Sequence, residues 1–283
     1  MNPLKIFQSY FTSFQLGNRL KHHNIEKNVN FNLNFKSERQ HGLSVMMRVK
    51  NEERWILFAI KSILDYVDEV IILLQPCEDK TEEIIKSIKS NKIKLFYYPF
   101  STYPAELGYS NHPENSIKNL AYYYNYALSK TQFSYVWKWD GDQCVIESRL
   151  KELRKIIDSN KYDIIHYKGY DMSGSKLKYL CIDPHTSNEP SFFRVTNRTF
   201  YIGGEKCEEF SYPVYKSLFS KTEIYNYPKP AFLHFKYATE NIGKGWKEGW
   251  ENDAYFRSIL DRKSQGQIYS DIYPEILKEA KIV

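Results

Sequence analysis

The chain has 283 residues, 42% hydrophobic and 26% charged, enough for one large domain or two modest ones and well outside the composition of disordered or fibrous chains. Lys+Arg 40 against Asp+Glu 34 leaves +6, too mild an excess over this length for the dense basic stripe that nucleic-acid binding needs. The four cysteines, Cys77, Cys144, Cys181 and Cys207, form no CxxC pair, which argues against a zinc site or a disulfide framework and favours reduced, packed thiols.

Residues 1–42 lack clean periodicity, and six basic residues (Lys5, Arg19, Lys21, Lys27, Lys36, Arg39) stand against Glu26 and Glu38, so +4 of the +6 lies here. The segment reads as an arm with a short amphipathic piece over Ile6, Tyr10 and Phe14. A solvated tail is the favoured reading, with peripheral contact to an anionic bilayer or a lipid-linked acceptor as the alternative its charge allows. No apolar run approaches the roughly 18 residues of a membrane span, the longest clean one being Val70–Leu74. The first ten residues lack the apolar stretch of a secretory signal, so the expected location is the cytoplasm, peripheral contact at the inner face of the membrane being the alternative.

From Leu43 the pattern changes. LSVMMR reads as a buried strand, and Ile56, Ala59, Ile60, Ile63 and Leu64 follow at helical spacing. Asn51 is the expected N-cap, and Glu52 and Glu53 suit the positive first turn. Glu69–Leu74 is a second buried strand, Asp79 with Glu82 an expected capping box, and Ile84, Ile85 and Ile88 the inner face of a second helix. A third strand, Lys92–Tyr98, leads to a helix at about 115–129 with Ile117, Leu120, Ala121, Tyr124 and Leu128 on one side. A fourth, Tyr135–Trp139, ends at Asp140-Gly141-Asp142. A helix at Ser148–Ser159 and a strand at Asp163–Lys168 complete the regular part, and a last helix is expected near Trp250–Leu260. Strands alternating with helices imply a doubly wound α/β domain with right-handed crossovers. After about residue 170 Gly, Pro, Ser and Asn accumulate without a linker, so one domain is expected over 43–283: a nucleotide-binding half at 43–145 and an irregular acceptor half at 146–283.

In an open parallel sheet, ligands bind beyond the carboxyl ends of the strands, where strand order reverses. Asp140 and Asp142 stand at such an end, with Gly141 letting the chain turn tightly. Carboxylate oxygens are hard ligands for Mg²⁺ or Mn²⁺, an ion that takes one or two of them plus phosphate oxygens. Gly243-Lys244-Gly245-Trp246 and Gly249-Trp250 read either as a flap over donor phosphates, with Lys244, Lys247 and Trp246 contributing, or as a packed loop.

On these residues the chain resembles the glycosyltransferases of the GT-A fold, of the family 2 type that decorates bacterial surface polysaccharide. LSVMMRVKNEERWILFAIKSIL is similar to their opening strand-NEE-helix, DEVIILLQPCEDKTEEII to their second strand and turn, SIKNLAYYYNYAL to the helix preceding the DxD motif, SFFRVTNRTFYIGGEKCEEF to a segment carrying a His-Glu pair, and FLHFKY to a short strand bearing a histidine. The resemblance implies a GT-A, Rossmann-like, mostly parallel sheet flanked by helices. It also implies a metal-dependent sugar transfer from a nucleotide-sugar donor to a glycan or lipid-linked glycan, with inversion and without a nucleic-acid partner. Asp140, Asp142 and His234 would hold Mn²⁺ or Mg²⁺, and Arg48, Asn51, Gln75, Lys118 and Asp140 would face the nucleotide. Gln75 follows Leu74, which occupies the place of the family's aspartate, and Lys118 is either a phosphate or base contact or a solvated helix lysine. Cys207 replaces the histidine of the His-Glu pair, and Glu208 is the expected general base, ahead of Glu205, Glu209, Asp253 and Asp171. A nucleotidyltransferase and a non-catalytic nucleotide- or nucleic-acid-binding module are the competing classes, the first opposed by the lack of a Gly-rich loop in RVKNEE.

Overall fold

The computed structural model describes residues 4, 11, 38–102, 116–173, 179–182, 192–203, 208–217 and 220–237. Most of the arm, the flap at 243–250, the helix expected near 250–260, and Glu205, Cys207, Lys244, Trp246, Lys247 and Asp253 lie outside the described residues, as do the side chains of Asp171 and Cys181. No helix among the described residues is long and apolar enough to cross a membrane.

The chain builds β1 (Gln40–Val49), α1 (Ile56–Ile63), β2 (Glu69–Leu74), α2 (Thr81–Ser87), β3 (Ile93–Tyr97), α3 (Leu120–Lys130), β4 (Phe133–Asp140), β5 (Gln143–Val145), α4 (Glu147–Asp158) and β6 (Ile164–Ser173). Seven strands follow: β7 (Tyr179–Ile182), β8 (Phe192–Arg194), β9 (Phe200–Gly203), β10 (Glu208–Ser211), β11 (Tyr215–Ser217), β12 (Ser220–Lys221) and β13 (Ile224–Tyr237). The main sheet runs β3-β2-β1-β4-β8-β6-β13-β5, with β7 on β6. It is parallel from β3 through β4 and again between β6 and β13; β8, β5 and β7 pair antiparallel. This is the expected α/β architecture, a mostly parallel sheet flanked by helices.

Alternation along the strands assigns the two faces. On one, Leu43, Val45, Met47 and Val49 of β1 join Val70, Ile72, Leu74, Tyr135, Trp137 and Trp139 beneath α1 and α4. On the other, Met46, Ile71, Leu73 and Val136 meet the tyrosines of α3. Helix α4 turns Leu150, Leu153 and Ile157 inward at the spacing of a single apolar stripe. By contrast, α3 is buried from Leu120 through Leu128, so its inner side is wider than the one predicted. Fully burying one such apolar side chain stabilises by about 1.5–3 kcal/mol.

Four local expectations are corrected. Strand β1 begins at Gln40, inside the segment read as arm, because Arg39 donates from Nη1 to Thr131 Oγ1 (3.0 Å) and Phe133 O (2.8 Å) and pins the strand's entry. Asn51 does not cap α1: it is left-handed (φ 54), and the helix starts at Ile56 after a turn in which Glu52 O accepts from Trp55 and Ile56. Asp79 and Glu82 form no capping box. Asp79 Oδ1 accepts from Thr81 N (3.0 Å), while Glu82 is drawn outward to Lys86 and Tyr97. The short strand around FLHFKY is part of the 14-residue β13, whose pairing to β6 shifts register around Pro230. These irregularities let prolines sit in a strand.

Candidate active site

The strand order reverses between β2 and β4, either side of β1, and the chemistry-bearing residues gather at the carboxyl ends of these three strands. The loops after β1 and β2 are tied to each other. Glu78 N donates to Asn51 Oδ1 (2.9 Å), Glu53 N to Asp79 Oδ2 (3.0 Å), Glu52 N to Thr81 Oγ1 (2.7 Å) and Lys80 N to Glu53 Oε2 (3.0 Å). Cys77 sits in the seam, its Sγ accepting from Asn51 N and bonding Gln75 O, both at 3.3 Å. The Asn51 side chain is thus spent on the loop pair. Gln75, buried at the end of β2, donates from Nε2 to Phe100 O (2.7 Å) and Thr102 Oγ1 (3.4 Å). A backbone carbonyl only accepts, so this contact fixes the amide's orientation and makes Oε1 its other end.

Strand β4 delivers Asp140, and Asp142 follows on the turn into β5. Gly141 lies so close to the first loop that a Cβ there would stand 2.9 Å from Glu52 Cγ and 3.4 Å from Ile56 Cδ1. Glu52 therefore lies against the Asp-Gly-Asp turn. Burial first, then the charges of Asp142 and Asp140, push its carboxyl up to about 9, so it holds a proton at neutral pH. Strand β13 brings His234 across β5, in register with Gln143. His234 Nε2 lies 3.4 Å from Asp142 Oδ2, and Phe235 N donates to Asp142 O at 2.8 Å. Phe235 stacks on Trp55 at 4.1 Å between centroids, fastening β13 to the start of α1.

The donor set of Asp140, Asp142 and His234, with Glu52 kept protonated by burial and then by the neighbouring carboxylates, suits a hard divalent cation. Two ligands of one ion can stand at the Asp142–His234 separation. Among the described residues, no three His, Cys, Asp or Glu side chains converge on a single point.

On the α3 face of the sheet, Arg48 of β1 and Lys138 and Asp140 of β4 form a second, partly buried group with Glu208 of β10. Arg48 Nη2 lies 4.0 Å from Asp140 Oδ1, and Lys138 Nζ lies 3.3 Å from Glu208 Oε1. Between them the Tyr124 ring is faced by the Arg48 guanidinium at 4.0 Å and the Lys138 ammonium at 4.6 Å. Burial alone raises the Glu208 pKa, but Lys138 and Arg48 outweigh it and hold the carboxyl below its ordinary value. Burial likewise opposes the charge on Arg48, and Tyr124, Glu208 and Asp140 overcome it. Glu209, the next residue, is exposed. Lys118 is exposed just ahead of α3, where Asn119 caps the helix by accepting from Ala121 N at 2.8 Å. The structure thus brings Asp140, Asp142, His234 and Arg48 to one strand end, sets Glu208 beside Arg48 and Lys138, and commits Asn51 to the loop seam.

The sequence assigns Glu52 to a helix start and Tyr124 to a helix face, and gives neither them nor Lys138 a place in the site. Lys138 had a signal: in YVWKWD it is charged in a run of buried residues, on the same face as Asp140.

The family model described as Glycosyl transferase family 2 matches residues 44–211. No curated protein matches the chain. Among solved structures, the chain is similar to S. aureus TarS (16% identity over 69% of this chain and 36% of that one, TM-score 0.45). It is also similar to S. aureus TarS 1-349 in complex with UDP-GlcNAc (18%, 84% of this chain and 71% of that one, TM-score 0.46). A third is glucosyl-3-phosphoglycerate synthase from Mycobacterium tuberculosis in complex with Mn²⁺, UDP and phosphoglyceric acid (19%, 46% and 43%, TM-score 0.32). The chain spans about a third of the first of these.

Proposed function

Because the chain belongs to glycosyltransferase family 2, we propose that it moves a sugar from a nucleotide-sugar donor to a hydroxyl of a glycan or lipid-linked glycan, with Mn²⁺ or Mg²⁺ and with inversion at the anomeric carbon. The observation that carries this reading is the pairing of Asp142 with His234 at 3.4 Å, beside Asp140 at the end of β4.

Asp140, Asp142 and His234 would hold the ion, which when bound acts as a Lewis acid on the leaving diphosphate. Gln75 Oε1 would accept an N–H from the nucleobase, a role supported by the commitment of its Nε2 to Phe100 O. Lys118 stands at the amino end of α3, where the helix dipole adds to its charge toward phosphate. Glu208 takes the proton of the acceptor hydroxyl as that oxygen bonds to the anomeric carbon. The bond from that carbon to the phosphate oxygen breaks, and its electron pair leaves with the nucleoside diphosphate. A base must be ionised before it acts, and the cations around Glu208 keep it so.

Asp142→Ala tests the reading. Transfer, or donor hydrolysis measured as release of nucleoside diphosphate, is expected to fall at least a hundredfold with the circular dichroism spectrum unchanged, and excess EDTA should do the same to the unaltered protein. Full turnover in EDTA sinks the metal assignment.

A further inference from the structure

The carboxylate of Glu208 is not loosely presented to a cleft; it is gripped from beneath. Lys138 and Asp140 are two apart on β4 and so point to the same face, roughly 7 Å from each other along the strand. Lys138 reaches Glu208 Oε1 at 3.3 Å, and among the described residues no other side chain donates to that carboxylate. The lysine is itself held, because its ammonium lies 4.6 Å from the centre of the Tyr124 ring. Tyr124 is fixed in turn by the Arg48 guanidinium at 4.0 Å and by stacking on Tyr201 at 4.7 Å. Tyr124 Oη and Arg48 Nε are buried with no hydrogen-bond partner among the described residues; ring faces and charges, rather than hydrogen bonds from these two atoms, assemble the group.

We propose that Lys138 is the positioning residue for Glu208: by holding Oε1, it turns Oε2 toward the acceptor and registers the base against Asp140 on the same strand. This rests on the assignment of Glu208 as general base. Two cations, Lys138 from β4 and Arg48 from β1, and two anions, Glu208 from β10 and Asp140 from β4, balance around Tyr124 of α3. Among the described residues, removing Lys138 leaves Arg48 as the remaining cation acting on the Glu208 carboxylate. That carboxylate would then lose its orientation and ionise at higher pH, since a cation within about 4–6 Å lowers a carboxylate pKa by 1–3 units. The Lys138 stem also packs along the tyrosine, so a methionine in its place keeps most of the contact and discards the charge.

The experiment uses the full chain with Mn²⁺ and whichever of UDP-glucose, UDP-N-acetylglucosamine and GDP-mannose is hydrolysed fastest, water serving as acceptor. Release of nucleoside diphosphate is followed against pH. Lys138→Met is expected to lower kcat at pH 6.5 at least tenfold and move the acidic limb of the kcat profile up by a unit or more, with the donor KM within threefold of the parent. The double variant Lys138→Met with Glu208→Gln should be no slower than Glu208→Gln alone, because the lysine acts through the glutamate. Should the methionine variant not fold, Lys138→Arg keeps the charge and changes the reach. Its kcat should fall about tenfold with the acidic limb in place. Near-parental hydrolysis in Glu208→Gln overturns the base assignment. A dead Glu208→Gln alongside parental kcat and an unmoved limb in both lysine variants overturns the positioning role and leaves the base assignment standing.

Discussion

Glu52 shows how a residue's surroundings decide its chemistry. As part of Asn-Glu-Glu it reads as an acid at a helix start, where a negative charge is favourable. Pressed instead against Gly141, beside Asp140 and Asp142, it keeps its proton up to about pH 9. Without these surroundings it ionises near its ordinary value of 4.5. A folded-state pKa raised above the unfolded one favours the folded state fully below the unfolded value, and that advantage is lost as pH rises toward 9. Glu52→Gln removes this dependence. In EDTA the variant should match the parent in melting temperature near pH 4.5 and exceed it increasingly from pH 6 to 9; a constant offset across that range would contradict the account. The glutamate was legible as present, but not as protonated, because its neighbours come from a strand about 90 residues later in the chain.

At the scale of elements, α3 does more than cover the sheet. Asn125, buried in its middle, donates from Nδ2 to Tyr201 O (2.8 Å) and accepts at Oδ1 from Tyr201 N (2.7 Å), serving β9 as a neighbouring strand would. Hairpin β9–β10, which carries Glu208, is thereby hung from the helix. Asn125→Ala strands both backbone groups of Tyr201 and is expected to cost about 2–5 kcal/mol in denaturant unfolding, since each buried polar group left unpaired costs about 1–3 kcal/mol. Donor hydrolysis should fall along with it. Sequence periodicity located α3 to within a few residues but gave it one apolar side, and a helix packed against a sheet and a hairpin has no clean stripe to read. Strand β13 was shortened for a related reason. Pro228 and Pro230 look like punctuation, yet irregular pairing with β6 accommodates them. The β1, β2 and β4 strands, covered on both faces, were legible as short apolar runs, and helices α1 and α4 as spaced apolar positions facing one core.

For the whole molecule, Asp140 at the end of the fourth strand stands beside the reversal of strand order, and His234 lies 3.4 Å from Asp142 on the turn that follows. The family match sets aside the nucleotidyltransferase and binding-module readings. Ligand linkage gives a global readout of the same site. A saturating nucleotide sugar with Mn²⁺, at about 100 times its Kd, stabilises the folded state by about 2.7 kcal/mol, or roughly 5–10 °C in melting temperature for a domain of this size. The shift should need donor and ion together and vanish in Asp142→Ala, as differential scanning fluorimetry would show.

The position of β13 in the chain has a consequence for assembly. The strand that supplies His234 and whose Phe235 N–H fixes the Asp142 carbonyl begins at residue 224, some eighty residues after the carboxylates it meets. Until it arrives, β5 lacks its partner, β6 exposes an unpaired edge, and Asp142 has no histidine. Such long-range closure is a slow step and leaves a sheet edge open to wrong pairing. The Asp142–His234 pairing is thus acquired late in folding, and a chain stalled before residue 224 would carry the acidic turn without the strand that completes it.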